Sequence, residues 1–297
     1  MNYVIITPAR NAAKHIEFTL NSMSRQSVPP LQWIVVNDGS TDETREILRV
    51  WQSRLHFLRV VDVTPEEKRN FASKVAAFQR GYAECRDWNP DLIGNLDADM
   101  TLPNEYFERL IAQFEYNKQL GIGSGVYADE MSDGSLSEVS TPEDYCPGAL
   151  QLFRRECLEA IGGYPPLAVG GIDTAAVLIA KMKGWEVRSF PQLKTIHHGR
   201  KELSFRQTLR TRFREGLRDH CLGMHWAYAM AKMLKRLNEQ PKMIGASWRM
   251  LGYLRACASR TDRPLPQELV DFIQREELAK LRGMFNPARR VIKRTNQ

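Results

Sequence analysis

Through the first two-thirds of the chain, short apolar runs alternate with longer stretches of helical period. The runs at residues 3–7, 32–36, 57–63, 91–96 and 121–127 read as strands, beginning with Tyr3-Val4-Ile5-Ile6-Thr7. Between them, residues 13–25, 42–53, 66–84 and 103–116 carry helical patterns. Two of these open with a start signal. Thr64-Pro65-Glu66-Glu67 has the spacing of a capping box with proline at the first helical position, and Pro103 fixes φ for the helix after Leu102. Strands separated by helices predict βαβ units, hence an α/β fold with a mostly parallel central sheet flanked by helices. Sheets of that kind bind ligands at the carboxyl ends of their strands. Beyond residue 200 the pattern is mainly helical: Phe205, Leu209, Phe213 and Leu217 recur every four residues, with Arg206, Arg210, Arg214 and Arg218 one position on. The predicted organisation is a body over residues 1–200 and a basic helical extension over 201–297.

Charge sharpens that division. Residues 1–199 hold 20 Lys and Arg against 26 Asp and Glu, a net −6, whereas residues 200–297 hold 22 against 9, a net +13, within a total of +7. An acidic, catalytic-looking body with a basic tail suggests two jobs, or one job done beside an anionic surface. The tail is then either a helix packed on the body with a solvated basic face or an interfacial helix on anionic lipid, with Trp226, Tyr228, Met230, Met233 and Leu234 able to serve either contact. No apolar stretch reaches the roughly 18 residues of a membrane span, and the N-terminus enters a strand at once. Five cysteines, Cys85, Cys146, Cys157, Cys221 and Cys257, lack any Cys-x-x-Cys spacing and read as buried thiols in a reducing compartment.

Candidate chemistry gathers where the strands end. Leu96-Asp97-Ala98-Asp99 closes an apolar run with two carboxylates, able to turn toward one divalent cation such as Mg2+ or Mn2+. Asp38 follows two buried-looking valines in Val35-Val36-Asn37-Asp38-Gly39-Ser40-Thr41-Asp42. Helix capping accounts for Ser40 and Thr41. Asp38 is better explained as an acceptor for the N–H of a nucleobase such as uracil. Asp173, in Gly170-Gly171-Ile172-Asp173-Thr174, begins an amphipathic helix and is either its cap or a general base approached through a glycine-rich loop. Residues 128–140 are polar and rich in turn formers, a surface loop near the site.

Thr7-Pro8-Ala9-Arg10-Asn11, the segment around Asp38, Asn95-Leu96-Asp97-Ala98-Asp99 and Gly170-Gly171-Ile172-Asp173-Thr174 stand in the order and spacing of family 2 glycosyltransferases, which the first 200 residues resemble. The resemblance implies a GT-A fold and use of nucleotide-activated sugars. It also implies nucleotide contacts from Pro8, Arg10, Asn11, Asp38, Lys74 and Asp97, a metal beside Asp99, and proton abstraction from the acceptor by Asp173. A histidine after the base-bearing helix often completes the metal shell in GT-A enzymes, and His197-His198 occupies that place. Arg69 borders the same segment as Lys74, although a solvated helix face accounts for it as well. Where many relatives carry two adjacent acids this chain has Ile172-Asp173, and it lacks Gln-x-x-Arg-Trp and the membrane helices of processive synthases.

The expected activity is inverting transfer of one sugar from a nucleotide diphosphate donor, a UDP-sugar, to a saccharide or lipid-linked saccharide acceptor. The expected cofactor is Mn2+ or Mg2+. The setting implied is cell-surface or exopolysaccharide synthesis by a cytoplasmic protein peripheral on the inner membrane face. Residues 7–12 contain no glycine, against a pyrophosphorylase phosphate loop, and acids at three element ends have no use in a nucleic-acid binder. A glycosidase needs no acid at a nucleotide-type strand end. The remaining alternative is a catalytically inactive sugar-nucleotide-binding relative, because Ile172 leaves one acid instead of two.

Overall fold

The computed structural model describes residues 1–64, 71–85, 88–200 and 203–285. In chain order the elements are β1 (Tyr3–Ala9), α1 (Ile16–Ser24), β2 (Gln32–Asp38), α2 (Thr44–Gln52), β3 (Leu58–Val63), α3 (Phe71–Glu84), β4 (Leu92–Asn95), β5 (Met100–Thr101), α4 (Tyr106–Tyr116) and β6 (Leu120–Glu130). Then follow β7 (Leu136–Glu138), β8 (Leu152–Arg154), α5 (Arg155–Ile161), α6 (Ile172–Met182), β9 (Glu186–His197), α7 (Phe205–Cys221), α8 (Trp226–Lys235), α9 (Ile244–Ala258) and α10 (Gln267–Phe285). The Arg69 position and the capping box at 64–67 fall on or run into residues outside those described.

The strands form one sheet in the order β3-β2-β1-β4-β8-β6-β9-β5, with β7 added to β6. Its first half is parallel, β3 on β2 on β1 on β4, as the alternation of strands and helices requires. The second half is mixed: β8 runs antiparallel to β4 and β6, and β6 is parallel to β9. Alternation of side chains splits the core. Tyr3, Ile5, Trp33, Val35 and Leu92 pack in one cluster with Leu20, Leu48, Leu110 and Phe114, while Ile6 and Val36 meet Gly81 of α3. A Cβ on Gly81 would lie 2.6 Å from Ile6 Cγ2, so that helix lies close on the sheet because the residue is glycine. The one buried indole among these strands is satisfied, Trp33 Nε1 donating to Thr7 Oγ1 at 2.9 Å.

Two details differ from the pattern-based reading. β6 runs on to Glu130 and turns back through β7, so the polar segment after residue 127 is partly a hairpin. β9 extends to His197 without a break in assignment, its register against β6 slipping between Ser124 and Val126. Polar sequence hid both, because the pairing partner supplies what local propensity lacks. Four cysteines are buried, but Cys257, near the end of α9, is exposed. Burial pushes the Cys146 and Cys157 thiols up to about 12.

By contact density the chain forms two compact units, the described residues of 1–168 and 172–202 in one and those of 169–171 and 203–297 in the other. The second unit is helical. α7 opens with a capping box, Ser204 Oγ accepting from Gln207 N–H while Ser204 N–H donates to Gln207 Oε1. α7 and α9 cross at two glycines: a Cβ on Gly216 would strike the Arg249 carbonyl, and one on Gly252 the Phe213 carbonyl. Beneath the crossing, Asp219 takes Arg249 Nε at 2.7 Å and Lys232 Nζ at 3.2 Å. Gly216→Ala or Gly252→Ala should therefore destabilise this unit by roughly 1–3 kcal/mol through forced separation of the helices. Urea unfolding followed by circular dichroism checks this, and an unchanged midpoint for both variants contradicts the close crossing.

Candidate active site

The parallel half of the sheet brings three strand ends together. Ala9 of β1 lies opposite Asn37 of β2, and Ile6 of β1 opposite Asn95 of β4, so the residues just beyond these positions share one edge. An open cleft of about 1340 Å³ occupies that edge. Pro8, Arg10, Asn11, Asp38, Lys74, Asp97, Asp99 and His198 all line it. Not all do so in the same capacity. Asn11, at φ 47°, accepts from Thr41 N–H at 2.8 Å through Oδ1, and its own N–H donates to Ser40 Oγ at 3.0 Å. Ser40 and Thr41 thus stitch the β1 and β2 loops together and do not cap α2. Asp42 does the anchoring there, accepting from Thr44 N–H at 3.2 Å and from Ala13 N–H at 3.1 Å.

The Asp97-Ala98-Asp99 turn sends its two carboxylates to different partners. Asp97 Oδ1 accepts from Lys74 Nζ at 2.6 Å and from Asn95 Nδ2 at 3.3 Å. Burial works against the Lys74 charge, but Asp97, with Asp173 and Asp99 beyond it, overcomes that and raises the ammonium's pKa. Asp99 instead faces His197, Oδ2 to Nε2 at 3.4 Å. Sheet register makes that meeting: β5 begins at Met100, directly after Asp99, and Met100 pairs with His197, which on its other side pairs with Asp129 of β6. Asp129 Oδ1 contacts His197 Nδ1 at 2.8 Å and its Oδ2 accepts from Arg200 at 2.9 Å.

Charge follows from this packing. Burial alone would raise the Asp99 pKa, yet His197, with Lys74 further off, holds its carboxyl below the usual range. Its pairing with Asp99 is the main cause that lifts the His197 pKa to about 9; burial opposes the rise and Asp129 adds to it. Gly199 is required at this point, since a Cβ there would collide with Asp99 Oδ2. Asp99 Oδ1 is buried and has no hydrogen-bond partner among the described residues. A carboxylate oxygen in that condition fits a hard cation. Among the described residues no three His, Cys, Asp or Glu side chains converge as a ready-made site. Asp99 and His197 bring one carboxylate and one imidazole together at the sheet edge. The sequence leaves open which of His197 and His198 would be a ligand; His198 lines the cleft but makes other contacts. Its Nε2 is 2.7 Å from Thr101 Oγ1, its Nδ1 is 2.7 Å from Glu130 Oε2, and its ring stacks on Phe18 at 4.0 Å, so both nitrogens are engaged in positioning.

Asp173 sits in the first turn of α6, after Gly170 and Gly171 at φ 85° and 82°. It is not in the cleft lining but adjoins it. Asn95 Nδ2 donates to the Gly148 carbonyl, and a Cβ on Gly148 would lie 2.7 Å from Asp173 Cβ, so the chain of contacts runs from Asp97 through Asn95 and Gly148 to Asp173. Tyr145 donates its hydroxyl to Asp173 Oδ2 at 2.7 Å, while Oδ1 accepts nothing among the described residues. Sequence reasoning missed Tyr145, Asp129 and Glu130, which lie in polar stretches without helical or strand period. It also passed over His15, which lines the cleft with Nδ1 buried and without a hydrogen-bond partner among the described residues; burial first, then Lys14, lower its pKa.

A family model for glycosyl transferase family 2 matches residues 4–165, more than half of the chain, including the ends of β1, β2 and β4 at the cleft. The chain belongs to glycosyl transferase family 2. This glycosyltransferase is 35% identical over 119 residues to a 4,4'-diaponeurosporenoate glycosyltransferase of Staphylococcus aureus, an alignment covering 40% of this chain and 29% of the relative. The chain therefore matches under a third of that relative's length. Among solved structures it resembles a mannosyltransferase of Pyrobaculum calidifontis in complex with GDP-Man and Mn2+, with TM-score 0.56, 19% identity, 98% of this chain and 82% of the other covered. It also resembles S. aureus TarS in complex with UDP, with TM-score 0.56, 15% identity, and 95% and 92% covered. These likenesses establish the GT-A fold.

The His197 pairing has a measurable consequence. A histidine whose folded pKa stands at about 9 against a reference of 6.5 adds stability that is full below 6.5 and is lost as pH rises through about 9. Asp129→Asn removes one of the causes of the rise. The His197 ring, followed by NMR, should then titrate below the wild-type value, and the variant should lose stability over a narrower pH window. An unmoved titration contradicts the Asp129–His197 contact.

Proposed function

We propose that this glycosyltransferase moves a single sugar from a nucleoside diphosphate donor, a UDP-sugar, to an acceptor hydroxyl with inversion at the anomeric carbon. One observation carries the reading: Asp38, Asp97, Asp99 and Lys74 line one cleft, and Asp173 adjoins it with a carboxylate oxygen left open. In this reading Asp38 accepts from the base N–H, and Pro8, Arg10 and Asn11 shape the nucleotide pocket. Lys74 brings a fixed positive charge beside the diphosphate, and Asp97 orients it. A divalent cation, Mn2+ or Mg2+, held by Asp99 and His197 with the donor phosphates, would offset the charge that builds on the leaving group as the sugar–phosphate bond breaks. Imidazole in the donor set favours Mn2+. The solved neighbour with GDP-Man and Mn2+ supports a cation in this fold, and the neighbour with UDP supports a diphosphate in the cleft.

Asp173 takes the acceptor proton in the same reading. Tyr145 holds Oδ2 in place, so Oδ1 meets the incoming hydroxyl. One base opposite one leaving group gives a single displacement. Ile172, buried where many relatives have an acid, leaves Asp173 without a second carboxylate to share the work. The acceptor class we assign is a saccharide or lipid-linked saccharide in cell-surface glycan assembly.

Asp173→Asn should lower transfer by about 10²–10⁴-fold with donor binding intact. Near-wild-type turnover removes Asp173 from the mechanism. Asp99→Ala should erase the Mn2+-dependent part of donor binding in a thermal-shift panel of nucleotide diphosphates and their sugar conjugates, and an unchanged metal response removes Asp99. Slow release of nucleoside diphosphate from the donor in the wild type separates an active enzyme from an inactive sugar-nucleotide binder.

A further inference from the structure

We propose that the α8–α9 surface of the helical unit docks this protein on an anionic lipid bilayer, lying in the interface without crossing it. α9 is apolar on two opposite faces. One face, with Ala246, Gly252, Tyr253 and Ala256, is buried, consistent with its close crossing of α7. The other presents Ile244, Trp248, Leu251 and Leu254, all exposed and spaced to form a single stripe along the helix. A helix of a water-soluble unit normally turns charge outward on that side. α8, which packs beside α9, repeats the arrangement with Trp226, Met230 and Leu234 exposed at intervals of four. Trp226 keeps 67% of its surface accessible and Trp248 keeps 40%. Met224, Ala229 and Tyr253 form a buried cluster with Tyr228 and Met250 against it, and none of the stripe residues belongs to that cluster. Exposed apolar groups on this scale mark a binding surface.

Charge selects the partner. Between Asp219 and Asp262 the chain contains seven Lys and Arg and a single acid, Glu239. Lys232 and Arg249 are tied to Asp219, and Glu239 lies near Arg212 and Arg236. Lys235, Lys242 and Arg255 are exposed beside the apolar stripes, and none has an ion-pair partner among the described residues. Tryptophan and leucine on one side with lysine and arginine flanking them is the composition of a helix seated at the headgroup level of an acidic membrane. No described helix is long and apolar enough to cross one. Trp226, Met230 and Leu234 already stand out in the sequence as able to serve a lipid contact; the stripe on α9 is added to them. The inference stands apart from the sugar-transfer chemistry, since none of these residues lines the cleft.

Flotation of the full chain with vesicles tests it. Vesicles of equimolar phosphatidylcholine and phosphatidylglycerol should carry the protein upward, vesicles of phosphatidylcholine alone should carry far less, and high salt should release most of it. Trp226→Ala combined with Trp248→Ala should cut partitioning about tenfold, each indole being an interfacial anchor. The double variant should keep wild-type helicity and unaltered release of nucleoside diphosphate from donor in solution, because the replaced side chains are exposed. Equal flotation of the double variant and the wild type overturns the proposal. So does a lack of binding to either vesicle, including the case in which the wild type instead forms a dimer that the double variant abolishes.

Discussion

The site depends on keeping several carboxylates together at one sheet edge. Asp38, Asp97 and Asp99 line a single cleft, and Asp173 adjoins it. Like charges gathered in this way disfavour ionisation unless cations are interleaved. Two cationic side chains do this for the Asp97-Ala98-Asp99 turn. Lys74 is paired with Asp97, and His197 with Asp99, so the two acids of one turn are divided between two partners. The rest of the arrangement follows from placing those partners: α3 lies close on β1 and β2 through Gly81 and delivers Lys74, while β9 runs between β5 and β6 and delivers His197.

That division is also what the proposed reaction requires. A sugar nucleotide brings two phosphates, and the groups that hold the acids apart are the groups that receive negative charge. Asp99 and Asp129 hold the proton on His197. In the proposed reading, a cation held by Asp99 and His197 would compete with that proton, which would tie its binding to pH. Asp129 would be the outer partner that fixes ring orientation, a role that typically affects metal affinity by about 10–100-fold. Tyr145 stands in the same relation to Asp173 on the acceptor side.

Much of this was legible in the sequence because it lies on regular elements. The strand-helix alternation gave the parallel half, and acids placed directly after buried runs gave Asp38, Asp97 and Asp99 at strand ends. What was not legible depends on pairing across the sheet. His197 meets Asp99 and Asp129 only through the registers of β5 and β6 against β9, and no local spacing encodes residues 68 and 98 apart as neighbours. His198 carries the same chemistry one position on, but alternation along a strand end turns it to Thr101 and Glu130. Capping by Ser40 and Thr41 failed for a related reason: Asn11, from a distant loop, claims both. In the tail, the four-residue repeat located α7 but gave no sign that α9 would be apolar on two faces.

The central claim is that Asp99 and His197 together hold a divalent cation on the donor diphosphate. Pulsed electron paramagnetic resonance of Mn2+ with the protein and UDP tests it most directly, because nitrogen coupling reports an imidazole ligand. The account predicts coupling from one histidine nitrogen that appears only when the diphosphate is present and vanishes in His197→Ala but not in His198→Ala. A ternary complex without nitrogen coupling, or one whose coupling survives His197→Ala, contradicts it.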